Sequence, residues 1–180
     1  MEHSMQMTST ILFSVGALVL SVIAAGWDIA TRRIPNPLTL GAIGCGLIGH
    51  VLLTHGHGLA WSAAGLTVGL GLMLPPALLG SLGGGDLKLM AALGALLGPG
   101  AAFEIALVAA LAGGVLALAV ALRRNQARTA LRQVVVFARR RPSVTADPSK
   151  PAAPVSVGSI PYGVAIGAAT WICLLGGGPF

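Results

Sequence analysis

Apolar residues run along the chain in long blocks, and the polar residues collect between them. The first block, Thr10 to Trp27, is about the length needed to cross a hydrocarbon core of roughly 30 Å. It gives way to Asp28-Ile29-Ala30-Thr31-Arg32-Arg33-Ile34-Pro35-Asn36-Pro37, where two prolines end the helix. A second span is expected from Leu38 to about Leu53, a short loop over Thr54 to Gly58, and a third span from Leu59 to Leu79. Leu87 to Leu122 is 36 residues of nearly unbroken apolar sequence, about 54 Å as one helix and too long for a single crossing. Gly98-Pro99-Gly100 supplies the turn, which predicts antiparallel helices over 87–98 and 101–122. After the basic segment Arg123 to Arg141 and the tether Pro142 to Pro154, the last span covers Ile160 to Gly177. The pattern predicts an all-α, polytopic membrane protein of about six transmembrane helices, one domain over 1–180 with a basic cytoplasmic loop and tether at 123–159.

Composition agrees with a bilayer as solvent: 55% of the residues are hydrophobic and 9% are charged, with a mean hydropathy of +0.86. A cleaved signal peptide is not expected, since Met1 to Ser9 holds no Lys or Arg and the first apolar block exceeds a typical h-region. The net charge of +6 follows topology rather than nucleic acid, because aromatics make up only 4% of the chain. With the N-terminus outside, Arg32, Arg33, Lys88 and the eight basic residues from Arg123 to Lys150 all fall on the cytoplasmic side, as the positive-inside rule requires. Leu131, Val134, Val135 and Ala138 recur at helical spacing opposite arginines, a pattern that suits a helix lying on the inner leaflet.

The candidate chemistry lies in the acids, of which the chain has five: Glu2, Asp28, Asp86, Glu104 and Asp147. A carboxylate at a helix centre costs roughly 2.5 to 3.5 kcal/mol on insertion scales, so one at a membrane segment calls for a reason. Asp86 follows Gly83-Gly84-Gly85 and opens an apolar run; the bland alternative is a glycine-rich turn with one solvated acid. The 87–98 leg, about 18 Å long, reaches across only if it starts below the surface, which submerges Asp86. The same topology sets Asp28 at that membrane face. Two carboxyls about 3 Å apart share a proton, so one can take a proton from water while the other polarises a scissile carbonyl. Ser21, Ser62 and Ser81 have no neighbouring base in sequence, and His55 and His57 lack further ligands, so neither a serine nor a metal mechanism is expected. His50 reads as an interfacial polar residue, and Cys45 and Cys173 as small core residues outside any CxxC pair. Two other readings use the same acids: a small ion-coupled transporter, and a non-enzymatic assembly subunit. The transporter would be expected to show internal repeats with interrupted helices, and none is found.

Three motifs carry a resemblance. Asp28-x-x-Thr31-x-x-Ile34-Pro35-Asn36, Gly83-Gly84-Gly85-Asp86-x-Lys88-Leu89 and Ile160-Pro161-Tyr162-Gly163, in this order, resemble the type IV prepilin peptidase family. The resemblance implies a GxGD membrane aspartic protease with Asp28 and Asp86 as catalytic residues and no cofactor. Its substrates would be pilin-like precursors with a basic leader, cut just before their hydrophobic segment at the cytoplasmic face of a bacterial inner membrane. Gly83, Gly84, Gly85, Pro35, Asn36, Lys88, Pro161, Tyr162 and Gly163 would bind substrate or shape the site, with Pro35 and Asn36 fixing the turn that aims Asp28. Partners would be these precursors, the bilayer and pilus assembly machinery. Larger family members carry an N-terminal domain with paired CxxC motifs and N-methylate their product. Without those cysteines this chain resembles the short, peptidase-only form associated with Flp-type, tight-adherence pili, and methylation is not expected.

Overall fold

A computed structural model describes residues 2–31, 34–54, 57–78, 82–123 and 162–176, and five helices account for nearly all of them. These are α1 (Glu2–Thr31), α2 (Asn36–Thr54), α3 (His57–Leu78), α4 (Gly84–Arg123) and α5 (Tyr162–Leu175). Four of them are long and apolar enough to cross a membrane, and α5 is a shorter apolar helix. The basic segment and tether expected at 123–159 lie outside the described residues except for Arg123 at the end of α4, as do Arg32, Arg33, Ser81 and Pro161.

Lipid and protein core are equally apolar, so polarity alone does not set which helix face turns inward. On α1 the buried stripe is Phe13, Ala17, Leu20 and Ala24, while Val15, Val19 and Val22 point outward. Continued one turn, that stripe reaches Asp28, so the phase of α1 turns the acid toward the core. The helix also extends further than the sequence pattern predicts. It runs one turn past Asp28 to Thr31, whose hydroxyl donates to the Trp27 carbonyl at 2.9 Å, placing the acid within the helix. Pro37 then sits in the first turn of α2, where its missing N–H costs no helical bond.

The first leg of α4 is the centre of the molecule: Leu89, Met90, Ala92, Leu93 and Ala95 are fully buried. Glycines let two neighbours approach its backbone. Gly65 of α3 faces Gly94 and Gly69 faces Met90, an antiparallel contact in which any added Cβ would run into a backbone carbonyl. Gly46 of α2 meets Ala95, and the Ser62 hydroxyl crosses from α3 to donate to the Ala95 carbonyl at 2.7 Å.

At Gly98 the backbone turns left-handed, with φ 87°, and the Trp61 indole occupies the space a side chain would need. The break lies where Gly98-Pro99-Gly100 predicts a turn, and the second leg folds back. Asp86 and Gly113 would be about 40 Å apart along a continuous helix, yet the Tyr162 ring lies against Gly113 while its hydroxyl interacts electrostatically with Asp86.

Two residues differ from their expected surroundings. His50 is buried rather than interfacial: its ring stacks on Phe13 with centroids 4.0 Å apart, and Nδ1 lies 2.9 Å from the Gly46 carbonyl. Cys45 is exposed rather than in the core, because α2 turns that face outward, whereas Cys173 is buried.

The α3–α4 contact yields a stability prediction. Gly65→Ala or Gly94→Ala should destabilise the folded protein by about 1–3 kcal/mol through overpacking. Gly71→Ala, on α3 with nothing within 4 Å of its added Cβ, should be neutral or slightly stabilising. Reversible unfolding in detergent would measure both.

Candidate active site

Asp28 and Asp86 arrive from different helices and are withdrawn from water together, at 7% and 8% exposure. The two carboxyls are close enough to interact electrostatically. Asp86 stands in the first turn of α4, where its backbone N–H donates to the Gly83 carbonyl at 3.1 Å. The glycine run is thus only partly a loop. Gly84 and Gly85 are already helical, and the helix starts two residues before the acid rather than after it.

Each glycine has its own surroundings. A Cβ on Gly83 would stand 3.5 Å from Asp86 Oδ2, in ordinary contact, and Gly84 faces open space. Gly85 packs tightly on buried Ile34, where a Cβ would come within 3.1 Å of the Ile34 Cβ. That close approach brings the start of α4 against the connection that follows Asp28. A polar tie repeats it: Lys88 Nζ donates to Asn36 Oδ1 at 2.8 Å. Asn36 is held in turn by the α2 cap, with its carbonyl accepting from the Thr39 hydroxyl at 3.2 Å and the Thr39 N–H donating to the Pro35 carbonyl at 3.5 Å. Pro35, Asn36 and Lys88 therefore lock the segment after one acid to the helix that carries the other.

The third side of the site comes from α5. The Gly163 backbone N–H donates to Asp28 Oδ2 at 2.9 Å. Tyr162, half-buried, rests its ring on Gly113 and interacts electrostatically with Asp86. Gly113 was not legible in the sequence, where it is one of many glycines in an apolar helix. Among the described residues no group of three or more His, Cys, Asp or Glu could hold a metal ion. Ser62 is committed to the Ala95 carbonyl and Ser21 to the Leu18 carbonyl at 2.8 Å.

The sequence profile of the type IV leader peptidase family matches residues 15–118, more than half of the chain. The chain belongs to this family. No curated protein and no solved structure matches it. As a leader peptidase it is a hydrolase that cuts peptide bonds, and its apolar helices make it a multi-pass membrane protein. The matched region includes Asp28 and Gly83 to Lys88 and ends before α5, so the contacts of Tyr162 and Gly163 are properties of this fold beyond the match.

In the peptidase the Lys88–Asn36 bond should register as energetic coupling. Asn36→Ala and Lys88→Met are each expected to cost about 1 kcal/mol, with the double variant costing about 1 kcal/mol less than their sum. A double-mutant cycle on unfolding midpoints measures this.

Proposed function

We propose that this leader peptidase is an aspartic endopeptidase in which Asp28 and Asp86 activate one water between them. Their burial at neighbouring helix ends carries the reading, since isolated carboxylates in apolar surroundings are costly and a facing pair is a hydrolytic device. One carboxylate takes a proton from water as the hydroxyl attacks the scissile carbonyl carbon. The other, protonated, donates to the carbonyl oxygen. Collapse of the tetrahedral intermediate breaks the C–N bond, and the departing nitrogen takes a proton back from the pair. The partly bare backbone of Gly83 and Gly84 suits an extended substrate lying beside Asp86. Lys88, Pro35 and Asn36 shape the site through the bonds that tie α4 to the start of α2, and Tyr162 lines it from the last helix.

The substrates we infer are Flp-type prepilins and pseudopilins, cut at the cytoplasmic face of a bacterial inner membrane. With the two legs of α4 counted separately, the helices fit six spans with the N-terminus outside. That topology gathers Arg32, Arg33, Lys88 and Arg123 on the side of the two acids, in keeping with the positive-inside rule. A basic leader held in the cytoplasm would present its junction with the hydrophobic segment at that level.

The test is co-expression with a leader-bearing precursor, scored by its size shift. Asp28→Asn and Asp86→Asn should each abolish processing while the protein still accumulates in the membrane. Undiminished processing by either variant would exclude the pair. For the wild-type peptidase kcat/KM should be bell-shaped in pH, because the fully protonated and fully ionised pairs are both inactive.

A further inference from the structure

We propose that Gly163 is the positioning residue for the Asp28 carboxyl, holding Oδ2 through its backbone N–H and admitting α5 to that distance by having no side chain. The inference rests on Asp28 and Asp86 being the catalytic pair. Asp28 ends the buried stripe of α1. The Gly163 amide reaches its carboxyl from 135 residues away at 2.9 Å. It can serve at no cost to α5, because amides in the first turn of a helix have no intrahelical acceptor. With Oδ2 engaged, Oδ1 is left as the oxygen that receives the proton of the attacking water.

The space is as specific as the bond. A Cβ at 163 would fall 2.8 Å from Asp28 Oδ2 and 3.1 Å from its Cβ and Cγ. Even alanine must therefore rotate the carboxyl or lift α5 off α1. One turn further along the same α1–α5 contact, Gly167 differs: a Cβ there would stand 3.3 Å from the Ser21 carbonyl oxygen and 3.5 Å from the Ala25 Cβ, with no acid nearby. The two glycines thus separate orientation of the acid from packing of the helices.

The experiment compares purified wild-type, Gly163→Ala, Gly167→Ala and Asp28→Asn enzymes on a leader-bearing precursor, with hydrogen exchange at the Gly163 amide in wild type and Asp28→Ala as a second readout. Gly163→Ala should lose about 100-fold in kcat, with KM changed by less than about threefold and an altered pH–rate profile, as expected for a displaced catalytic group. Gly167→Ala should stay within about twofold of wild type in both constants. If Gly163→Ala does not accumulate, exchange decides. The wild-type Gly163 amide should be protected and exchange at least about tenfold faster in Asp28→Ala, while interior α5 amides stay unchanged. Wild-type kcat and pH profile in Gly163→Ala beside an inactive Asp28→Asn would overturn the positioning role and leave the pair standing, as would Gly163 protection indifferent to Asp28→Ala. Activity in Asp28→Asn would instead bring down the pair itself.

Discussion

The structure depends on keeping two carboxyl groups out of water next to each other. Each is costly alone in apolar surroundings, and their proximity adds to the cost. The packing around them has to hold what the acids themselves resist. Asp28 is buried by the phase of α1, as the last member of the stripe Phe13, Ala17, Leu20 and Ala24, and Asp86 by its place in the first turn of the fully buried leg of α4. Neither helix can turn its acid outward without breaking a larger apolar contact.

Small residues make that packing possible. Gly65 and Gly94 bring α3 and α4 to backbone contact, Gly46 brings α2 onto Ala95, Gly85 seats α4 on Ile34, and Gly163 seats α5 on Asp28. In a bilayer, where association gains little from moving apolar surface out of water, close backbone approach and interhelical hydrogen bonds carry more of the association. The Ser62 to Ala95 bond and the Lys88 to Asn36 bond belong to the same scheme, one deep in the core and one beside the acids.

The path of the chain was largely legible in the sequence because spans are set by length and punctuation. Gly98-Pro99-Gly100 marks the break in α4, and Pro35 and Pro37 bracket the start of α2. The faces of the helices were not. Nearly every position is apolar, so periodicity does not separate lipid from core, and outward-facing Cys45 and inward-facing His50 ran against expectation. The two acids stood out because ionisable residues are scarce in such a chain. Their surroundings did not: the approach of Gly85 to Ile34, of Gly163 to Asp28 and of Tyr162 to Gly113 are contacts between distant parts of the chain.

The family match covers residues 15–118, and the last helix, beyond it, reaches back to Asp28. The first four helices hold both acids, and α5 adds a backbone hydrogen bond to Asp28. The most direct measurement of the central claim is cross-linking of Asp28→Cys/Asp86→Cys in native membranes, with Cys45 and Cys173 replaced by alanine. A short bis-thiol reagent should join α1 to α4 within one chain in high yield. Failure to cross-link, while Phe13→Cys/His50→Cys joins α1 to α2 under the same conditions, would contradict the meeting of the two acids.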